Sequence, residues 1–198
     1  MWNLQNYWQK AISFDEYLKI SEERATNNPD ENDEHQEYYE LGLQRMNRTL
    51  KTFKVDDSPR ETLKSKNFNG KILIISEPWC GDASATVPAV SKFFEAAGNE
   101  VKIFLRDSDL SLIDQFLTNG TQSIPIVIIL DQNFNVINHW GPRPKHGMEL
   151  LRKFKENPET YPREEFYNDL QVYYAKNRGK DAVQEILELI WKCVNLKI

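Results

Sequence analysis

The sequence predicts an α/β fold in which a mixed β-sheet is flanked by helices. Four short runs of apolar and β-branched residues have the length and composition of strands, at 72–75, 101–105, 126–130 and 136–140. Segments with helical periodicity separate the first three runs, and the last two are joined by a connection short enough for a hairpin. The resulting order (strand, helix, strand, helix, strand, strand) implies a mixed sheet with helices packed against it.

The first residues of the chain are expected to be helical. Leu4, Trp8 and Ile12 repeat at helical spacing. Ser13 followed by Glu16 has the pattern of a capping box, in which each side chain binds the backbone N–H of the other residue. This pair predicts that a helix restarts at Ser13.

Two further helices are predicted before the first strand. The polar, acidic segment 27–34 is interpreted as a loop, and an apolar stripe from Tyr39 to Phe53 predicts the helix after it. Ser58 as the N-cap and Pro59 as the first helical residue predict a short helix that ends near Lys66.

Helical segments also lie within and after the strand region. Residues 83–97 and 110–117 are expected to be helical, as are three segments after Lys145, at 148–156, 163–177 and 180–196. We therefore expect an N-terminal helical extension (1–67), a central α/β unit (68–145) and a C-terminal helical extension (146–198).

Composition narrows the class of protein. The chain has 198 residues, of which 40% are hydrophobic and 28% charged, as in soluble globular proteins. Its net charge of −5 argues against a general nucleic-acid binder. Neither a signal-peptide pattern nor a membrane-spanning run is present, so we expect a cytoplasmic protein without a membrane partner. Two distant cysteines exclude a disulfide framework and zinc-ligand spacing, and no metal or other cofactor is expected.

Cys80 is the strongest candidate for a chemical site. A predicted buried strand leads into 78–82 and then directly into a helix, which places Cys80 at the helix N-terminus. Unpaired N–H groups and the helix dipole there favour an anion, so a thiol pKa below its usual value is expected. Trp79 would partly cover the sulfur, and Gly81 would allow close approach of another backbone. The alternative is that Cys80 is a small buried apolar residue.

The residues around Cys80 resemble a known active-site motif. The motif residues are Trp79, Cys80, Gly81, Asp82 and Ala83. They are similar to the Trp-Cys-Gly-x-Cys motif of the thioredoxin family, with Ala83 where the second cysteine would stand. Pro88 matches the proline within the active-site helix of that family, and 123–125 matches its cis-proline loop. The helical flanks and Asp82 look closer to a bacterial thioredoxin-like subfamily than to thioredoxin itself.

The resemblance implies a substrate site as well as a thiol. It implies a cis peptide bond at Pro125 opposite Cys80, which would leave the Ile124 backbone free to pair with an extended substrate. Two departures limit the implied activity. Ala83 removes the resolving thiol, and Ile74 stands where thioredoxin keeps a buried acid that serves that thiol.

Several other residues lie close enough in the sequence or carry suitable groups to be candidates for roles at this site. Asp82 suits the positive end of the helix but opposes a nearby thiolate, so it has no assigned catalytic role. Glu77 is a candidate proton acceptor, although an exposed loop carboxylate is the favoured interpretation. Cys193 is a candidate resolving thiol, although an inert place on a packed helix face is favoured. Arg143 and Lys145 are candidates to receive a carboxylate from glutathione or a similar thiol, although a solvated turn is the favoured interpretation. A metal or acid–base role of His139 and His146 is disfavoured, because they show no paired ligand pattern.

These features predict a monothiol thiol–disulfide oxidoreductase. Cys80 would form mixed disulfides with a protein disulfide or with a low-molecular-weight thiol, and an external thiol would complete the cycle. The alternative is a redox-inactive binding or adaptor module with the same fold. Glutathione transferases also join this fold to helices, but their helical part is larger than the segment after Lys145.

Overall fold

The computed structural model describes residues 3–27, 33 and 35–195 of the chain. Within these residues it contains a four-stranded sheet and eight α-helices. The strands are β1 (Lys71–Ser76), β2 (Val101–Leu105), β3 (Ile126–Leu130) and β4 (Val136–Trp140). The helices are α1 (Gln5–Lys10), α2 (Phe14–Asn27), α3 (Gln36–Thr52), α4 (Asp57–Ser65), α5 (Gly81–Ala97), α6 (Lys145–Glu156), α7 (Arg163–Asn177) and α8 (Lys180–Asn195).

The sheet is mixed, as the sequence predicts. Its strand order is β2-β1-β3-β4, so the two strands at the centre are β1 and β3. β1 runs parallel to β2, with Ile72 opposite Val101, and antiparallel to β3, with Ile74 opposite Val127. β3 in turn pairs antiparallel with β4. The expected α/β fold with flanking helices is therefore confirmed.

The hydrophobic core extends from the sheet into both helical extensions. Residues 72–75 of β1 are completely buried, which explains why this strand is apolar at every position. The same core includes Tyr17 of α2, Met46 of α3 and Ile186 of α8. A second, smaller cluster joins Ala85 of α5 to aromatic residues of the C-terminal extension. Helices from both extensions are thus packed next to α5, the helix that follows Cys80.

The N-terminal segment departs from the predicted helix. α1 ends at Lys10, and Ile12 forms a β-bridge with Ile103 instead, with N···O distances of 2.8 and 2.9 Å. The helical spacing of Ile12 was therefore misleading, because its backbone pairs with the edge of the sheet. The capping box is confirmed: the Ser13 N–H donates to Glu16 Oε2 (2.8 Å), and the Glu16 N–H donates to Ser13 Oγ (3.2 Å).

Two other local predictions are corrected by side-chain hydrogen bonds. Asp56 is the N-cap of α4, since its Oδ1 accepts from the Ser58 N–H at 3.1 Å, so Ser58 is not the cap. The helix predicted at 110–117 is reduced to a 3₁₀ turn at Ile113–Gln115. Just before that turn, Asp109 accepts from the Ser111 N–H, a local bond that competes with a regular helix.

Most of the loop predicted at 27–34 lies outside the described residues, as does Leu196 at the end of the last predicted helix. Among the helices that the structure describes, none combines the length and apolar character needed to cross a membrane.

Candidate functional site

Cys80 is the N-cap residue of α5. The strand β1 ends at Ser76, and a tight turn, closed by the Cys80 N–H donating to the Glu77 carbonyl (3.1 Å), leads into the helix. The Cys80 carbonyl accepts the first helical hydrogen bond, from the Ser84 N–H. The sequence places Cys80 at this helix start, and the structure has it there with only 7% of its surface exposed.

The Cys80 thiol faces the loop that precedes β3. Its Sγ donates a hydrogen bond to the Ile124 carbonyl oxygen, with an S···O distance of 3.4 Å. The Ile124–Pro125 peptide bond is cis. The structure therefore brings together Cys80, Ile124 and Pro125, the residues to which the resemblance assigns the thiol and the substrate-binding backbone.

The pKa of Cys80 is shifted in the direction opposite to the sequence prediction. Burial raises the pKa to about 12, and the negative charge of Asp82 adds to the rise. The backbone N–H groups of Ala83 and Asp82, and the charge of Arg143, lower the pKa but do not offset burial. The helix N-terminus thus does favour the anion, as expected, while desolvation of the thiolate outweighs it.

Asp82 belongs to a buried network. Its carboxylate receives two bonds from Arg143, at 3.0 Å to Nε and 2.6 Å to Nη2, and one from the Tyr174 hydroxyl at 2.6 Å. Arg143 follows β4 and Tyr174 lies on α7, so three separate parts of the chain meet beside Cys80. The expectation that Arg143 lies in a solvated turn is wrong, because its side chain is only 16% exposed and its guanidinium is the ion-pair partner of the buried Asp82.

Trp79 is held between two side chains. Its ring stacks on the His35 imidazole, with centroids 4.2 Å apart, and the Arg106 guanidinium lies 4.8 Å from the ring centroid on a cation–π contact. The indole Nε1–H donates to Asp107 Oδ2 at 3.3 Å. His35 precedes α3, so the N-terminal extension helps to orient the residue next to the thiol.

Glu77 is buried and not the exposed loop carboxylate expected from the sequence. Only 1% of its surface is exposed. Its Oε1 accepts from the Asp107 N–H (2.8 Å), and its Oε2 binds Arg24 (3.3 Å). Burial raises the pKa of Glu77, while the Asp107 N–H and the charge of Arg24 oppose the rise. Glu77 thus connects the turn before Cys80 with α2 and with the segment after β2.

Close backbone approach occurs at Gly42 and not at Gly81. A Cβ atom built on Gly42 would lie 2.8 Å from the Pro78 carbonyl oxygen, so α3 touches the turn that carries Trp79. A Cβ atom on Gly81 would meet no backbone within 4 Å; its nearest neighbour is Arg45 Nη1 at 3.5 Å. The role predicted for Gly81 is therefore corrected, and Arg45 is added to the site.

The remaining predicted residues lie apart from the thiol or have structural contacts. Ala83, in the first turn of α5, is buried. Cys193 lies on α8, where its sulfur accepts a bond from Asn138 of β4 (3.8 Å). His139 and Lys145 line a second groove with Glu185, which Arg143 borders as well, and His146 packs on Tyr173. Within the described residues, no cluster of three His, Cys, Asp or Glu side chains suits a metal ion.

A cavity of about 710 Å³ opens above Cys80. The segment 121–124 lines one part of it, α3 and α7 contribute Arg45 and Gln171, and Arg143 lies beside the thiol. Sequence reasoning found the thiol but missed the cavity, because both helices that enclose it lie outside the region of the recognised motif.

The fold and the site together define a protein of the thioredoxin class that has one thiol at the start of its active-site helix. The family model for thioredoxin matches residues 28–155, which include all four strands, Cys80 and Pro125. Since this match spans more than half of the chain, the protein belongs to the thioredoxin family, which confirms the predicted family; the active-site motif assigned to residues 79–83 stays a prediction. The bacterial subfamily stays a prediction.

Two solved structures share the fold over nearly the whole chain. One is a protein of unknown function from Pseudomonas aeruginosa, with a TM-score of 0.65, 16% identity, and coverage of 97% of this chain and 99% of that chain. The other is an HIV epitope scaffold, with a TM-score of 0.65, 15% identity, and coverage of 96% and 99%. No curated protein sequence matches the chain. The likeness includes the helical extensions as well as the central sheet.

Proposed function

We propose that the protein carries out monothiol thiol–disulfide exchange through Cys80. The observation that carries this proposal is the position of the thiol: Cys80 Sγ lies at the start of α5, bonded to the Ile124 carbonyl (3.4 Å), and lines an open cavity. A disulfide that enters this cavity meets the sulfur beside the backbone of Ile124 and Pro125. The substrate is a protein disulfide or a disulfide of a low-molecular-weight thiol.

The exchange has two balanced steps. Cys80 sulfur attacks one sulfur of the incoming disulfide, the old S–S bond breaks as the new one forms, and the Cys80 proton goes to the departing thiol. Cys80 is oxidised and the departing half is reduced. Because Ala83 offers no second thiol, an external thiol must then attack the mixed disulfide and release Cys80. Cys193, whose sulfur accepts a hydrogen bond from Asn138 of β4, is not proposed to take part.

The raised pKa of Cys80 sets the expected rate. With a pKa of about 12, only a small fraction of the thiol is ionised near neutral pH, so exchange should be slow and should accelerate with rising pH. The same observation favours a second candidate function, a redox-inactive binding module in which Cys80 stays a protonated, buried thiol.

Trapping the mixed disulfide separates these two functions. The wild type, Cys80→Ser and Cys193→Ser are incubated with hydroxyethyl disulfide between about pH 7 and 10, and intact masses are measured. Exchange predicts an adduct on wild type and on Cys193→Ser that is absent from Cys80→Ser, with a rate that rises with pH. If Cys80 forms no adduct at any pH while Cys193 does, the protein is a binding module.

A further inference from the structure

The cavity above Cys80 is strongly cationic although the protein is acidic. Among the described residues, four arginines line it, namely Arg45, Arg106, Arg143 and Arg163, against a single carboxylate, Asp82. The net charge of the whole chain is −5. A cationic cavity on an acidic protein attracts small anions selectively, because the rest of the surface repels them.

The four arginines differ in the contacts they already make. Arg143 binds Asp82, Arg106 binds Asp107 (2.6 Å), and Arg163 lies at the rim over the ring of Tyr167. Arg45 alone makes no hydrogen bond or ion pair through its guanidinium in the part of the chain that the structure describes. It is also half-buried, so its guanidinium has lost some hydration without gaining a partner among the described residues.

Arg45 lies over the start of α5, beside the residue that follows Cys80. Its Nη1 atom lies 3.5 Å from the position that a Cβ atom of Gly81 would occupy, and Gly81 directly follows Cys80. An anion bound to Arg45 would therefore lie over the first turn of α5. A guanidinium binds a carboxylate with two parallel hydrogen bonds, which fixes the orientation of the ligand as well as its position.

The dimensions of the cavity fit a small ligand. A volume of about 710 Å³ is typical of sites for small molecules. The rim adds three large side chains that are each between 42% and 48% exposed, namely Tyr38 and Leu41 of α3 and Tyr167 of α7. These side chains can cover the apolar part of a ligand, while α3 and α7 limit the space available to a folded protein above Cys80.

We infer that the cavity selects a low-molecular-weight thiol or disulfide that bears a carboxylate, with the carboxylate on Arg45 and the sulfur at Cys80. This inference rests on the proposed exchange at Cys80 and adds the class of its substrate. The covalent step is the one given above: the anionic disulfide oxidises Cys80 to the mixed disulfide and leaves as one equivalent of thiol. A second anionic thiol then releases the other half as a disulfide.

Three disulfides of similar size and different charge test this selection. Dithiodipropionate is anionic, hydroxyethyl disulfide is neutral and cystamine is cationic; rates of adduct formation on Cys80 are measured with Cys193→Ser as the background. For each disulfide, the rate with Cys80 is divided by the rate at which the same disulfide reacts with a small free thiol. This normalised rate should be higher for dithiodipropionate than for cystamine. Arg45→Met should reduce this preference about tenfold, the effect of losing roughly one charge-assisted hydrogen bond.

Matched variants separate the local effect of Arg45 from charge and folding. Arg152→Met removes the same charge from the exposed face of α6 and should leave the preference unchanged. Arg45→Lys keeps the charge and should retain a preference for the anion. Equal normalised rates for the three disulfides in wild type, or an equal loss in Arg45→Met and Arg152→Met, would overturn the inferred substrate class.

A binding measurement distinguishes failure of this inference from failure of exchange. Thiodipropionate, a thioether that cannot exchange, is titrated into Cys80→Ser and into Cys80→Ser combined with Arg45→Met, with binding followed by calorimetry. Binding that depends on Arg45 supports the substrate class even if no disulfide reacts with Cys80. Adducts on Cys80 without charge preference, together with no thiodipropionate binding, would overturn the substrate class and leave the proposed exchange intact.

Discussion

The Tyr174 hydroxyl donates a 2.6 Å hydrogen bond to Asp82 Oδ1, which joins helix α7 to the first turn of α5. Both residues are buried, and Asp82 is only two residues from Cys80. The C-terminal extension is therefore coupled to the active-site helix through a charged hydrogen bond as well as through apolar packing. A hydrogen bond to a buried charge contributes more to stability than one between neutral groups.

Tyr174→Phe should destabilise the protein by about 1.5–3 kcal/mol, the usual contribution of a hydrogen bond to a charged group. Denaturant unfolding of wild type and variant measures this difference. Tyr173→Phe is a matched control, since the neighbouring Tyr173 donates an equally short bond to Asp181 but is more exposed. A smaller loss for Tyr173→Phe is expected; equal losses would contradict a special role of the bond to Asp82.

Asp82→Asn and Arg143→Met should shift the pKa of Cys80 in opposite directions. Asp82 raises that pKa and Arg143 lowers it. Asp82→Asn should therefore accelerate alkylation of Cys80 by iodoacetamide near pH 8 several-fold, because more thiolate is present. Arg143→Met leaves Asp82 without its counter-charge and should slow alkylation. Rates are measured against pH with Cys193→Ser as the background.

The opposite changes in alkylation rate expected for the two variants distinguish an electrostatic effect on Cys80 from local unfolding. Both substitutions break the same 2.6 Å ion pair, so local unfolding would expose Cys80 and accelerate alkylation in both variants. Faster alkylation of both would show that the ion pair acts only by holding the structure together.

The central sheet could be predicted because its pattern is local. The apolar strand at Ile72–Ile75 is buried at every position, and a strand of that composition is unlike an amphipathic helix. The position of Cys80 was predictable for the same reason, since a strand that runs into a helix places the intervening residue at the helix start. Ile12 shows the limit of local patterns: its spacing fits a helix, but Ile103, distant in sequence, pairs with its backbone.

The electrostatics of the site depend on contacts that are distant in sequence. Glu77 is buried because Asp107 and Arg24 satisfy its oxygens, and nothing near Glu77 in the chain predicts those partners. The pKa of Cys80 was predicted in the wrong direction because the helix N-terminus is visible in the sequence, whereas burial is a property of the folded chain. The same limit explains why Arg45, which lies far from the recognised motif, was missed.

Gly42→Ala should destabilise the protein, although alanine is the better helix former. The added methyl group would lie 2.8 Å from the Pro78 carbonyl oxygen, so α3 or the Trp79 turn must move. Such overpacking costs about 1–3 kcal/mol, enough to exceed the gain in helix propensity of about 1 kcal/mol. Gly81→Ala is the control, because its methyl group would meet the ends of two side chains, Arg45 Nη1 at 3.5 Å and Gln171 Nε2 at 3.9 Å. A lower melting temperature for Gly81→Ala than for Gly42→Ala would contradict this packing argument.

Glu77→Gln and Glu77→Ala should change the free energy of unfolding differently. Glu77→Ala removes the buried acceptor of the Asp107 N–H and of Arg24 and should cost about 1–3 kcal/mol. Glu77→Gln keeps an acceptor oxygen. Because the folded-state pKa of Glu77 is raised, the wild type gains stability from this group below its unfolded pKa of about 4.3 and loses that contribution as the pH rises.

The raised pKa of Glu77 also determines how the stability of Glu77→Gln depends on pH. The free energy of unfolding of Glu77→Gln, relative to wild type, should increase from about pH 4 to pH 7, since glutamine does not ionise. Urea denaturation at a series of pH values measures the difference. A relative free energy that falls over this range would show that the pKa of Glu77 is lowered in the folded protein.

Ala83→Cys should convert the single-thiol site into one that releases its own mixed disulfide. Ala83 lies in the first turn of α5, three residues after Cys80, so a thiol at position 83 starts from the same helix end as Cys80. It would attack Cys80 sulfur in the mixed disulfide, expel the substrate half as a thiol and leave an internal disulfide. Intact-mass measurements in the Cys193→Ser background should show an adduct for the parent and a loss of two hydrogens for Ala83→Cys. Persistence of the adduct in Ala83→Cys would mean that the missing cysteine is not what prevents internal release, and would direct attention to Ile74, where the resemblance places the missing acid.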